Sequence, residues 1–219
     1  GDHRDLHLSL RRQRQMCIRD SQITLGLLSF FVLLVGSTGA LSQNRLNISE
    51  VKEGLHVITG PGGNIGVRLT SEGVILIDDK FPQDFQEIRS LVAEVTDLPV
   101  RYVINTHHHG DHTGANLPLK ERWGCTIVGA ANDAERIPGI DVRVADGDSY
   151  AFGSLSAEVF EVPGHTSGHI AYYFATEGVA FVGDTLFALG CGRLFEGTPA
   201  MMWSSLQKLM ALPDETIIY

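Results

Sequence analysis

A run of histidine and aspartate between positions 106 and 112, with the sequence THHHGDH, constrains this chain more than any other feature. Imidazole and carboxylate groups are preferred ligands of zinc and similar metals. The run follows residues 101–105 (RYVIN), which have the pattern of a strand, so it is predicted to form a loop at a strand end. Alternate residues of an extended backbone point the same way, and His107 and His109 can therefore face one ion.

A glycine divides this run. Gly110 permits a turn, after which Asp111 and His112 can face a second ion. Four candidate ligands within six residues cannot all reach one metal. The run therefore predicts a site for one or two ions.

Two further segments carry metal-binding residue types. Residues 163–169 (PGHTSGH) contain His165 and His169, so six of the nine histidines fall in two short clusters. Asp184 follows an apolar stretch that reads as a strand. Taken alone, an aspartate at a strand end is as often a cap as a ligand, and its residue type leaves both roles open.

The spacing H-x-H-x-D-H at 107–112 resembles the signature of the metallo-β-lactamase fold superfamily. That resemblance implies an α/β fold, the αββα sandwich, in which two mixed β-sheets face each other with helices outside. It also implies a metal site at one edge of the sheets.

The resemblance assigns roles to the histidines. It gives the first metal three ligands, His107, His109 and His165. His108 and His169 are expected to support the site from behind rather than to bind an ion.

The same resemblance assigns the carboxylates. Asp111 and His112 would bind the second metal, and Asp184 would bridge both ions. Asp111 and Asp184 would also be catalytic, because they would orient the attacking hydroxide. The implied cofactor is Zn²⁺, as two ions in a full-length protein, with iron or manganese as alternatives.

The resemblance narrows to the glyoxalase II family, the hydroxyacylglutathione hydrolases. Besides THHHGDH, it rests on GHTSGH at 164–169, GDTLF at 183–187 and GCGRLFEGT at 190–198, and it covers most of residues 102–219. It implies hydrolysis of a small-molecule thioester such as a hydroxyacylglutathione. Arg193 matches a basic residue of the thioester pocket, and a surface ion-pair partner is the less favoured alternative for this arginine.

Three other functions remain open. A lactam hydrolase is favoured by the glycine-rich stretch 62–66, which differs from the D-N-Y-type turn of glyoxalase II. A persulfide dioxygenase with one iron shares the GCGR run, but typically continues with T-D-F where this chain has 194–196 (LFE). A metal-free binding module is disfavoured by the full run of ligands. Nucleic acid is not expected as a partner, because the net charge is -9.

The chain divides into three segments by composition. Residues 1–21 resemble translated sequencing-adapter sequence and are expected to be a non-native leader. Residues 22–42 contain a short apolar core and a small-x-small site, which predict a signal peptide or an N-terminal anchor. Residues 43–219 are the predicted hydrolase domain, which would be exported to the periplasm or secreted, without any other membrane contact.

The family pattern continues beyond position 219 with G-H-E-Y, whose histidine is the remaining ligand of the second metal, and then with a helical glutathione-binding region. We therefore expect the domain to be incomplete at its C-terminus. On this expectation the chain binds one metal tightly and cleaves thioesters weakly.

Apolar periodicity and turn residues predict the elements that carry these motifs. The predicted strands cover residues 55–59, 64–70, 74–77, 101–105, 126–128, 180–182 and 216–219, with two more inside 154–174. The predicted helices cover residues 81–95, 116–123 and 199–212. The last has Thr198 as its predicted N-cap and an apolar face formed by Met202, Leu206, Leu209 and Met210.

Overall fold

The computed structural model describes residues 45–219, and the predicted leader and the predicted signal or anchor segment lie outside these residues. Seven strands form the first sheet, in which neighbours in space are also neighbours in sequence. The strands are β1 (Asn47–Lys52), β2 (Leu55–Thr59), β3 (Ile65–Thr70), β4 (Gly73–Ile77), β5 (Val100–Ile104), β6 (Thr126–Ala130) and β7 (Val142–Val144). The pairs from β1 to β4 are antiparallel and those from β4 to β7 are parallel, so the sheet is mixed.

Five strands form the second sheet, in the order β12-β11-β10-β9-β8. They are β8 (Ser149–Phe152), β9 (Leu155–Glu161), β10 (Ile170–Phe174), β11 (Val179–Phe181) and β12 (Ile217–Ile218). The pairs are antiparallel except for the parallel pair of β11 and β12. Four helices accompany the sheets: α1 (Phe85–Val95), α2 (Gly110–Thr113), α3 (Asn116–Trp123) and α4 (Pro199–Met210).

Three apolar layers hold these elements together. The central layer lies between the two sheets, where Ile77 and Val128 of the first sheet pack with Val159 and Phe181 of the second. The outer face of the first sheet packs against α1 and α3, and that of the second against α4. The predicted αββα sandwich of two mixed sheets is therefore confirmed.

The predicted start of α4 is confirmed, but its predicted buried face is partly wrong. Thr198 caps the helix, since its hydroxyl accepts a hydrogen bond from the backbone N–H of Met201 at 3.3 Å. Met210 is 73% exposed, whereas Ser205 is buried and donates a hydrogen bond to the carbonyl of Pro163 at 2.7 Å. Positions 202, 205 and 209 share one helical stripe, and residue 210 lies one step of about 100° away from it.

The parallel strands bring the site residues to one edge. Strands β4, β5 and β6 run in the same direction, so the segments that follow them meet at the carboxyl edge of the first sheet. The second sheet joins this edge because Ile170 N–H donates to the carbonyl of Thr106 at 2.9 Å and the Tyr172 hydroxyl donates to the carbonyl of Asn105 at 3.1 Å. Within residues 45–219, none of the helices is long and apolar enough to span a bilayer.

Candidate metal centre

Three imidazoles converge at this edge. The Nδ1 atom of His109 lies 3.1 Å from Nε2 of His107 and 3.0 Å from Nε2 of His165. The ligand atoms of this first group all lie within 4.8 Å of one another. Three histidine nitrogens that face a common point form the donor set of a tetrahedral metal with one open position. The residues therefore fit a metal ion.

The outer nitrogens of two of these rings are already hydrogen-bonded. Nδ1 of His165 lies 2.8 Å from the carbonyl oxygen of Arg193, which can only accept, so this nitrogen is the protonated one. Nδ1 of His107 lies 3.1 Å from the hydroxyl of Thr106, and that hydroxyl donates in turn to Asp78 at 2.8 Å. Both rings consequently present an unprotonated Nε2 toward the centre, as metal-binding histidines do.

A second group consists of His107, His112 and Asp184, whose ligand atoms also lie within 4.8 Å of one another. One carboxylate oxygen of Asp184 lies 3.5 Å from Nε2 of His112, and the other lies 3.4 Å from Nε2 of His165. Asp184 therefore faces both groups with one oxygen each. Nε2 of His112 is buried without a protein hydrogen-bond partner, which is costly unless a ligand binds there.

Asp78 orients His112 from behind. Its Oδ2 atom lies 2.7 Å from Nδ1 of His112, and its Oδ1 atom accepts the Thr106 N–H at 2.8 Å. Burial acts to lower the pKa of His112, but the Asp78 charge and hydrogen bond outweigh it, and the net pKa is raised. The sequence interpretation missed Asp78, although an acidic pair directly after a buried strand at the carboxyl edge was a usable signal.

The other predicted ligand of the second ion, Asp111, lies nearby but outside the two groups. Its Oδ2 atom is 3.9 Å from Nε2 of His112 and accepts a hydrogen bond from Gly63 N–H at 3.2 Å. The side chain is 32% exposed. Its role as a ligand therefore stays a prediction.

Burial keeps the central imidazoles neutral. It is the largest cause of the lowered pKa values of His107, His109 and His169, and the neighbouring histidines add to the shift. A neutral imidazole retains the lone pair that a metal requires. The electrostatics at His107 and His109 thus suit metal binding rather than proton storage.

His169 lies behind the ligands. Its Nε2 accepts the backbone N–H of Asp184 at 3.1 Å, its Nδ1 lies 3.1 Å from the Ile170 carbonyl, and its ring stacks on His107 at 4.6 Å. It therefore supports Asp184 and His107 without facing the centre.

His108 points away from both groups. Its Nδ1 lies 3.0 Å from a buried carboxylate oxygen of Asp133, and its Nε2 lies 3.8 Å from Glu196. Arg136 bonds to both carboxylates, and Glu196 also accepts the N–H of Ser167 at 2.7 Å. This polar network joins four segments beside the first group, near residues 108, 133–136, 167 and 196. The sequence interpretation did not find Asp133, Arg136 or Glu196.

The side chain of Arg193 is exposed and its guanidinium lies over the ring of Phe195, 4.9 Å from the ring centroid. Its backbone carbonyl, rather than its charge, contacts the first group through His165. Binding of substrate by the Arg193 side chain stays a prediction. The glycine before it is needed for packing, because a Cβ on Gly192 would lie 1.9 Å from the carbonyl oxygen of Asp184.

A cavity of about 370 Å³ adjoins the second group. Asp111, His112 and Asp184 line one side of it. The polar residues Asn64, Asp78 and Thr106 also line it. Much of the remaining lining is apolar and comes from Val57, Ile77, Phe181, Leu186, Phe187 and Tyr219. A small organic substrate could therefore reach the candidate ligands from this side.

Comparison with known proteins agrees with this geometry. A hydroxyacylglutathione hydrolase of Methylococcus capsulatus is 60% identical over 118 residues, which are 54% of this chain and 46% of that protein. The chain thus spans about half the length of the curated relatives it matches.

Solved structures share the fold. The crystal structure of ETHE1 from Myxococcus xanthus is 30% identical with a TM-score of 0.63, over 80% of this chain and 73% of that one. The structure of TTHA1623 in a di-iron-bound form is 28% identical with a TM-score of 0.62, over 74% and 88%. The family model described as the metallo-beta-lactamase superfamily matches residues 58–219. This match agrees with the sandwich fold and the convergent candidate ligands. The chain belongs to the metallo-β-lactamase superfamily.

Proposed function

We propose that this chain is a metal-dependent hydrolase that cleaves a thioester such as a hydroxyacylglutathione. The observation that carries the proposal is the position of Asp184, whose two oxygens face two groups of ligands. The 60% identity to a hydroxyacylglutathione hydrolase supports a thioester as the substrate class.

The first group would hold one ion through its three histidines, and His112 with Asp111 would hold a second. Asp184 would contact both. Zn²⁺ is the proposed metal because borderline ions suit this mixture of imidazole and carboxylate, with iron or manganese as the alternatives. When bound, such ions supply Lewis acidity and lower the pKa of water to near 7.

The chain's own residues would position the reaction. Asp184 and Asp111 would orient the attacking hydroxide, one of them by accepting its single hydrogen bond, and direct it toward the thioester carbonyl carbon. A bond forms between the hydroxide oxygen and the carbonyl carbon, and the C–S bond breaks. The products are a thiolate and a carboxylic acid, which becomes a carboxylate when its proton passes to solvent. Because thiols have a pKa of about 8.5, the thiolate leaves readily, and the site needs no strong general acid.

The test compares turnover of S-lactoylglutathione with turnover of a carbapenem and a cephalosporin. We expect kcat/KM to be highest for the thioester, and Asp184→Asn to remove this activity. Efficient lactam hydrolysis without thioester cleavage would replace the proposal with the lactam alternative.

A further inference from the structure

A lysine is buried next to the candidate metal centre. Lys80 is 0% exposed, and its ammonium donates to the carbonyls of Pro61 at 3.2 Å and Gly60 at 3.5 Å, and to that of Gly63. Lysines are almost never fully buried unless their charge is satisfied. The three carbonyls and the ammonium therefore fix one another, and the turn at residues 60–63 is fastened to the end of β4.

The main chain around Lys80 also forms hydrogen bonds with residues 112–114, in the segment that carries the candidate ligands Asp111 and His112. The carbonyl of Lys80 accepts the N–H of Gly114 at 2.9 Å, and Asp79 N–H donates to the carbonyl of His112 at 3.1 Å. Lys80 has φ of 60°, a left-handed conformation that residues other than glycine seldom adopt. The surrounding hydrogen bonds hold it there.

The turn that Lys80 holds touches two candidate ligands of the second ion, Asp111 and His112. Gly63 N–H donates to Oδ2 of Asp111 at 3.2 Å. A Cβ on Gly63 would lie 2.4 Å from the ring of His112, and one on Gly62 would lie 3.0 Å from Cβ of Asp111. The position of this turn therefore sets the room available to both side chains.

We propose that Lys80 is a positioning residue for the second metal site, because its ammonium holds the 60–63 turn where Gly63 orients Asp111 and confines His112. This inference rests on the proposed two-metal function. The first group has separate supports, from Thr106 and from the carbonyl of Arg193. Loss of the ammonium should therefore weaken the second site selectively.

The test is a Co²⁺ titration of the metal-free protein, followed by visible absorption. Lys80→Met removes the charge at nearly constant shape, and Lys80→Gln retains a hydrogen-bond donor. The matched control is Lys120→Met, since Lys120 also bonds to a carbonyl, that of Gly139 at 2.9 Å, but sits on α3.

In the wild type we expect a tight first step and a weaker second one. Lys80→Met should weaken the second step by about 10–100-fold, as loss of supporting contacts does, while the first changes by less than about twofold. Lys80→Gln should lie between, and Lys120→Met should change neither. Hydrogen exchange at the Gly63 amide should accelerate in Lys80→Met alone.

Three outcomes would contradict the inference. An unchanged second step in folded Lys80→Met would overturn the role of Lys80 and leave the two-metal function intact. If Lys80→Met does not fold, an unchanged second step in Lys80→Gln would overturn it equally. A wild type without any second step would overturn the two-metal proposal itself, and the role of Lys80 with it.

Discussion

The Nδ1 atom of His112 lies 2.7 Å from Oδ2 of Asp78, and the other ring nitrogen, Nε2, is buried without a protein hydrogen-bond partner. The carboxylate fixes the tautomer and leaves Nε2 as the metal-facing atom. Asp78 adopts φ of 62°, so a residue in a strained backbone conformation carries this contact.

Asp78→Asn should weaken binding of the second ion by about 10–100-fold, because an amide fixes the imidazole less firmly than a carboxylate does. Asparagine tolerates the left-handed conformation, so the backbone should be retained. Metal titration measures the effect, and Asp141→Asn, which removes a carboxylate paired with Lys120, is the control. Equal second-ion affinities in wild type and Asp78→Asn would contradict the role of Asp78.

His107→Ala should remove metal and activity, because His107 belongs to both groups of ligands. His108→Ala should retain most of the metal, because its ring faces Asp133 and Glu196 instead. Metal content after dialysis distinguishes the two variants. Equal metal loss would mean that the alternation of ligands along 107–109 is wrong.

The Arg136–Glu196 contact should stabilise the protein only above acidic pH. The hydrogen bond from Arg136 is the main cause that lowers the pKa of Glu196 to about 2, from 4.5. A carboxyl group with a lowered pKa in the folded state stabilises it above pH of about 5, and the effect is lost as the pH falls toward 2. The difference in Tm between wild type and Glu196→Gln should therefore be largest near pH 7 and shrink by pH 3.

The exposed Glu135 supplies the control, since Glu135→Gln should leave Tm nearly unchanged at both values. A Tm difference for Glu196→Gln that does not depend on pH would show that the ion pair contributes nothing to it.

The sequence predicted the candidate metal ligands more completely than it predicted the residues that support those ligands. His107 and His109 could be predicted because they lie two positions apart in one short motif. Apolar runs such as those of β4 and β10 indicate fully buried strands. In contrast, Asp133 and Glu196 are 63 positions apart and meet only through Arg136 and His108. Periodicity cannot indicate such a contact, because only the tertiary fold brings these loops together.

Three strands were not predicted, and each lacks the expected pattern. Strand β1 lies at the edge of its sheet and is almost wholly exposed, so it shows no alternation of apolar and polar residues. Strands β7 (VRV) and β8 (SYAF) have three and four residues and lack the continuous apolar run that the equally short β11 (VAF) has. Their positions depend on pairing with longer neighbours.

The two cysteines within residues 45–219 should differ sharply in reactivity. Burial raises the pKa of Cys125 to about 11, whereas Cys191 is exposed. Because the thiolate is the reactive form, iodoacetamide at pH 8 should label Cys191 in the folded protein and Cys125 only after unfolding. Peptide mapping measures both sites, and rapid labelling of Cys125 in the native state would contradict its buried position.

The most direct test of the account is the dependence of thioester hydrolysis on metal. The protein is stripped with a chelator, its folding is checked by circular dichroism, and turnover of S-lactoylglutathione is measured before and after Zn²⁺, Fe²⁺ or Mn²⁺ is returned. We predict that turnover falls to the uncatalysed rate on stripping, recovers with at least one of these ions, and does not recover in His107→Ala. Undiminished turnover by the metal-free protein would contradict the central claim.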